Sequence, residues 1–253
     1  MRGKLDQIRV SAVAFSTEYD VIILAETRLN DGVYDSEIEL GSFIIFRDDR
    51  SSSVGGSRGG GVLIVVKKSI RGMTFDTLDT SLLSSNQLFV ILPDPKTIIG
   101  AIYIPPASNI SLYQDHVMHV EDIMNIFFNY NLILIGDYNL PEVTWSLTAN
   151  GALHVFEKET SALTRLCAPV LVNSFTYLNL SQFNCITNSK DNILDLCFSN
   201  CFCAISLSKD ILSNIDEFHP ILNVSTLPSN NAYIESSFSP LNFDWIRYDF
   251  MQF

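Results

Sequence analysis

Positive charge is scarce in this chain. Its 253 residues carry 16 Lys and Arg against 28 Asp and Glu, a formal charge of −12. That argues against a general polyanion-binding tail, whose affinity for phosphates comes from Lys and Arg. It leaves room for a metal site, which is built on carboxylates. Long apolar runs are missing as well. VIILA at 21–25 and LILI at 132–135 fall far short of the ~20 residues a membrane span needs. The opening stretch MRGKLDQIRVSAVAF spreads its charges and holds no apolar segment of signal-peptide length. The expectation is a soluble, intracellular chain with no membrane partner. Cysteines are few and odd in number: Cys167, Cys185, Cys197, Cys201 and Cys203. Without a secretory signal these read as reduced thiols, and the sequons at Asn109, Asn179 and Asn223 as chance matches. With 12 Gly and 9 Pro, collagen-like and mucin-like compositions are excluded.

Apolar residues are abundant. They make up 47% of the chain, and mean hydropathy is +0.21. This is ample for a packed core and excludes disorder as the main state. The length fits one or two domains. No internal repeat is evident. Apolar residues at Leu5, Ile8 and Val13 give a helix over Leu5–Phe15. DVIILAET (20–27) reads as a strand buried on both faces, and SFIIFR (42–47) as another. Arg47–Arg58 is Ser/Gly-rich and reads as a loop, feeding a strand at 59–68. LFVIL (88–92) and IIGAIYIPP (98–106) follow, with a turn at Asp94-Pro95. Helical spacing returns over Leu112–Phe128. NLILIGDYN is a buried strand ending in a polar loop. A second helix is expected over Glu157–Leu171, then strands in ILDLCFSN and HPILNVS. After Ser225 the chain turns polar, which reads as a linker ending in FDWIRYDFMQF. Segregated strands and helices point to an α+β fold, sheet packed on sheet with helices outside.

The informative feature is where the carboxylates sit. Glu26 ends one buried strand. Asp137 ends another, with Asn139 two residues on. Asp195 lies between Leu194 and Leu196 in a third. Asp216 and His219 precede the last. A carboxylate at the end of an apolar strand is costly unless paired, hydrogen-bonded or on a metal. Several such ends converging would make an oxygen-ligand site suited to Mg²⁺. Each residue alone also has an ordinary reading. Glu26 can be a surface strand end, Asp137 and Asn139 a turn, Tyr103 a core aromatic, Asp195 a satisfied buried carboxylate, and His219 a loop histidine.

Together and in order, these segments resemble the endonuclease/exonuclease/phosphatase superfamily. The motifs ETRL, RGGGVLIVVK, YIPP, GDYNLPEVTW and LDLCFSN resemble, within it, the apurinic-like endonuclease domain of jockey- or CR1-type non-LTR retrotransposons. The likeness spans Lys4 to Thr226. It implies a domain over residues 1–226 and a linker over 227–253 leading toward a reverse transcriptase. It implies a four-layer α/β-sandwich, DNase I-like, of two mostly antiparallel sheets with outer helices. Family members open with a strand carrying a metal-site asparagine, and here that first strand is expected to be missing. Carried over by position, Glu26 matches the metal-binding glutamate, with Asp216 a second metal candidate. Asp137 matches the aspartate that orients the attacking water, and Asn139 the asparagine that orients Asp137. Tyr103 matches a phosphate-contacting tyrosine. His219 matches the histidine that stabilises the reacting phosphate, and Asp195 the aspartate that orients His219. The implied cofactor is Mg²⁺, with Mn²⁺ an alternative. The implied substrate is DNA, nicked by a monomer to leave a 3′-hydroxyl for target-primed reverse transcription, with a nuclear location when acting on chromosomes.

Three rivals stand beside this reading. One is a phosphoesterase of the same superfamily acting on lipid or inositol phosphates. The others are a catalytically dead relic and a domesticated nucleic-acid-binding module. Arg47, Arg50 and Arg58, with Lys67 and Lys68, are candidate contacts to the DNA backbone. A solvated edge strand guarded by lysines explains them equally well. His116 and His119 sit three apart on a helix without further ligands and read as a solvated helix face. Cys197, Cys201 and Cys203 form no CxxC pair and read as buried thiols. The glycines at 55–61 lack a following Gly-Lys-Ser/Thr and read as a loop entering a strand.

Overall fold

The computed structural model describes residues 19–27, 29–30, 32–38, 40–49, 60–74, 86–147, 153–156, 161–208, 218–226 and 242–247. Fourteen strands among them form two sheets. The first sheet takes β1 (Val21–Ala25), β2 (Phe43–Asp48), β3 (Val62–Lys67), β12 (Cys203–Leu207), β13 (Leu222–Thr226) and β14 (Asn242–Arg247), in the order β12-β13-β14-β1-β3-β2. The second takes β4 (Met73–Thr74), β5 (Asn86–Leu92), β6 (Thr97–Tyr103), β7 (Asn131–Asp137), β8 (Thr144–Leu147), β9 (Leu153–Phe156), β10 (Ser181–Gln182) and β11 (Asp195–Ser199), in the order β4-β5-β6-β7-β11-β10-β9-β8. Among the described residues, only the β1–β14 and β6–β7 pairs are parallel. The helices are α1 (Asp35–Ile38), α2 (Ile110–Ile126) and α3 (Ala162–Tyr177).

Three apolar clusters separate the layers. Between the sheets lie Val21, Ile23 and Ala25 of β1, Val62, Ile64 and Val66 of β3, and Ile99, Ala101, Ile133 and Ile135 of the second sheet. The outer face of the second sheet packs on α2 and α3 through Ile102, Leu134, Val120, Ile123, Leu171 and Phe175. The outer face of the first sheet buries Ile22, Leu24, Leu63 and Val65 under Tyr19, Leu29, Ile38 and Leu40. This is an α+β sandwich, as the sequence pattern predicts. VIILA is apolar at every position because both faces of β1 are covered.

Local signals explain the helix starts. Asn109 caps α2, its side chain accepting from the Leu112 N–H at 3.3 Å. Ser161 caps α3, its hydroxyl accepting from the Thr164 N–H at 3.3 Å. Helix α3 begins at Ala162 and runs to Tyr177, six residues beyond the expected Leu171. Asn242–Arg247 lies in the stretch read as a linker, yet forms a strand with a partner on each side. It runs parallel to β1 and antiparallel to β13. The expected Leu5–Phe15 helix lies outside the described residues. No described helix is long and apolar enough to cross a membrane.

Candidate active site

Strand register brings the sequence candidates together. Tyr103, Asp137 and Asp195 are direct cross-strand neighbours on β6, β7 and β11. They stand in phase with Ala101, Ile135 and Cys197, which face the gap between the sheets. All three therefore project at one mouth of that gap. All are buried, at 5%, 0% and 2% exposure. His219, itself buried, reaches the same place from the segment before β13. Its Nδ1 lies 3.0 Å from Asp195 Oδ2. Facing a carboxylate, Nδ1 carries the proton and donates, which leaves Nε2 for the site. Ligand atoms of Asp137, Asp195 and His219 all fall within 4.8 Å of one another, an arrangement able to hold a metal ion.

Gly136 makes this row possible. A Cβ built there would stand 2.0 Å from the backbone oxygen of Ile102 on the parallel neighbour. Only glycine lets β7 lie that close to β6 one residue before Asp137. Beyond Asp137 the chain turns sharply. Asn139 sits at φ +48°, in the left-handed region where asparagine is tolerated. Its N–H donates to Asp137 Oδ1 at 3.0 Å, and its side-chain Nδ2 donates to the Ile104 carbonyl at 2.8 Å. The asparagine thus holds the aspartate through its backbone and anchors the turn through its amide.

Glu26 follows β1 on the opposite sheet. It is buried at 5% exposure, with φ +51°. A non-glycine residue held there costs on the order of 1 kcal/mol. Thr27 donates its N–H to the Gly61 carbonyl at 3.1 Å. Gly60 and Gly61, at φ +103° and +86°, let the chain enter β3 beside this turn. Gly60 and Gly61 therefore take backbone conformations that glycine alone adopts freely, beside the Glu26 corner. Glu26 stands outside the three-residue cluster.

The remaining candidates divide. Asp216, Arg50 and Arg58 lie outside the described residues. Arg47 is spent inside the protein. It donates to the carbonyls of Val33 at 2.8 Å and Asn30 at 3.2 Å, and pairs with Asp35 and Asp49. A guanidinium so engaged ties together Asn30, Val33 and Asp35. His116, read as part of a solvated helix face, is fully buried, because its side of α2 packs on the second sheet. Among described thiols, Cys167, Cys197 and Cys203 are buried and every cysteine is free.

Supporting residues escaped the sequence reading. Asn184 Nδ2 donates to the Asp195 carbonyl at 2.6 Å. Asn188 Nδ2 donates to the Phe218 carbonyl at 3.2 Å, while its Oδ1 accepts from the N–H groups of Lys190 and Asn192. These amides fix the backbone of Asp195 and of Phe218, the residue before His219. Their one signal was an Asn-rich segment lacking any apolar run.

No protein-family model matches this chain, and no curated protein matches it. Solved structures do. The chain is similar to the endonuclease domain of TRAS1, a telomere-specific non-LTR retrotransposon, at 13% identity and TM-score 0.54. The match covers 85% of this chain and 90% of that one. It is also similar to the 3′ phosphatase NExo from Neisseria, bound in that structure to product DNA hairpin. That likeness has 11% identity and TM-score 0.50, covering 85% and 93% of the two chains. The fold is thus that of the endonuclease/exonuclease/phosphatase proteins, a DNase I-like sandwich.

Proposed function

We propose that this chain is a divalent-metal-dependent phosphodiester hydrolase that nicks DNA and leaves a 3′-hydroxyl. The observation that carries the reading is the buried Asp137–Asp195–His219 cluster at the mouth between the sheets. The fold and the order of the motifs support the nuclease class. The further step to retrotransposition rests on the sequence resemblance.

The residues fit a hard cation. Asp195 Oδ1 is buried with no hydrogen-bond partner among the described residues. A buried anionic oxygen in that state calls for a cation. Carboxylate oxygens suit Mg²⁺ or Mn²⁺. Asp137 and Asp195 are the clustered carboxylates that would hold it, and Glu26 joins them only on the strength of the family resemblance. Such an ion supplies Lewis-acid polarisation of a phosphate oxygen. The protein's own groups divide the rest. Asp137 is fixed by the Asn139 N–H and is suited to orient a water and take its proton. His219, oriented by Asp195 through Nδ1, presents Nε2 toward charge developing on the phosphate. Tyr103 lies beside Asp137 in the row and can donate its hydroxyl to the same phosphate.

The test is nicking of supercoiled plasmid with Mg²⁺ and with EDTA. Asp137→Ala and His219→Ala should each lose at least about a hundredfold in rate. A parallel panel holds 3′-phosphate oligonucleotides, phospholipids and inositol phosphates. Activity on the lipid or inositol arm alone would replace DNA as substrate. Nicking that survives EDTA, or both substitutions, would overturn the metal hydrolase reading.

A further inference from the structure

Tyr138 stands between Asp137 and Asn139, in the turn that follows β7, and is fully buried. Helix α2 holds it at both ends. Tyr113 Oη donates to the Tyr138 carbonyl at 2.8 Å. The Tyr138 hydroxyl lies 3.1 Å from His116 Nε2. His116 Nδ1 in turn lies 2.8 Å from Gln87 Oε1, and Gln87 Nε2 lies 3.3 Å from His119 Nδ1.

The chain of bonds has one consistent direction. Burial pushes the His116 pKa down to about 3, with His119 adding to the effect, so the ring is neutral. A neutral imidazole offers one donor and one acceptor. Gln87 Oε1 accepts, so Nδ1 bears the proton. Nε2 then accepts, and the Tyr138 hydroxyl donates. The ring is also wedged edge-on against Phe175, with centroids 5.7 Å apart.

Stability alone does not call for this chain. Replacing both partners of a buried hydrogen bond by apolar groups of the same shape is often close to neutral. A fully satisfied buried network gives instead a single geometry. That geometry is needed at this turn, where Asn139 is left-handed and its N–H must meet the Asp137 carboxylate.

We propose that Tyr113 and His116 are positioning residues, which fix the Asp137–Asn139 turn by gripping Tyr138 through its carbonyl and its hydroxyl. The grip itself is independent of the hydrolase reading. Its kinetic consequence rests on that reading.

The experiment uses the full chain with Tyr113→Phe and Tyr138→Phe, each of which removes only a hydroxyl. The control is Ile91→Val. Ile91 aligns through Ile98 with Leu132, at the end of β7 remote from Asp137. The first readout is amide exchange by NMR, made without substrate. Tyr113→Phe should speed exchange at the Asn139 and Ile104 amides about tenfold or more. The Asn131 amide at the other end of β7 should be unmoved, and the control should show no such local pattern. The second readout is cleavage of a defined duplex. Both hydroxyl variants should lower kcat about tenfold, with KM within about twofold, because displacement of a reacting group costs rate more than binding. Exchange that is unchanged, or raised uniformly along β7, overturns the proposal. So does an unchanged kcat in an active enzyme. A wild-type chain that cleaves no phosphoester sinks the hydrolase reading, while the exchange data still judge the grip.

Discussion

Asp48 closes β2 at the edge of the first sheet, and its carboxyl is pushed up to about 6. Burial is the main cause. A hydrogen bond from the Gln87 N–H opposes it, and the neighbouring Asp49 adds a smaller push. The folded chain therefore keeps this proton to higher pH than the unfolded chain, whose carboxyl titrates near 3.8. The stabilisation is fully present below about pH 4 and is lost as pH rises through 6. Asn at this position keeps an acceptor for Gln87 and has no charge to bury. Asp48→Asn should thus gain on the order of 1–2 kcal/mol at pH 7.5 and little at pH 4. Thermal melts of both proteins at the two pH values decide it. An equal gain at each pH would show that charge burial is not the cause. His116 titrates with the opposite sign. Its lowered pKa makes the fold lose stability as pH falls below about 6.5. The Asp48 effect is therefore read from the variant pair and not from the wild type alone.

Between β6 and β7 the limiting quantity is backbone separation. Alanine at Gly136 would drive its Cβ into the Ile102 carbonyl, which cannot move without breaking the ladder. Alanine at Gly100 would meet Leu134 Cδ2 at 2.7 Å and the Phe89 ring at 2.9 Å, side chains and not backbone. Gly136→Ala should therefore cost about 3 kcal/mol or more, and Gly100→Ala clearly less. Urea unfolding of the two variants gives the ranking, and a reversed order would refute the argument. The same pair of strands shows what a sequence can and cannot disclose. VIILA, VLIVV, LFVIL and NLILIGD were legible as strands because both faces are covered, so nearly every position is apolar. The carboxylates stood out because each interrupts such a run. Strands β4, β8, β9 and β10 escaped notice, being two to four residues long, and β12 did so because its segment was read only for its thiols. Register was not legible at all. That Tyr103, Asp137 and Asp195 stand in one row is a property of pairing, and no residue announces it. Tyr113 and His116 were equally silent, since helical spacing marks a buried face without saying which polar groups it grips.

For the molecule as a whole, the first sheet depends on residues far apart in the chain. Val21 pairs with Phe243, and Val224 pairs with Phe243 from the other side. The expected domain end at Thr226 gives way to the proposal that the folded unit includes Asn242–Arg247. Proline at Asp244 would remove an N–H from a strand with neighbours on both edges. Asp244→Pro should abolish cooperative unfolding and drive the chain to aggregate on a sizing column. Met73→Pro on β4, which among the described residues pairs only with β5, should leave a folded monomer. A well-folded Asp244→Pro protein would exclude β14 from the folded unit. The position of β14 also sets an order of events during synthesis. At roughly 5–20 residues per second, β1 leaves the ribosome long before its parallel neighbour exists. Until residues 242–247 emerge, β1 and β13 each carry an unpaired edge, the kind that recruits other chains. Closure of this sheet is therefore a late event, and a nascent chain arrested after Thr226 is one that chaperones must hold.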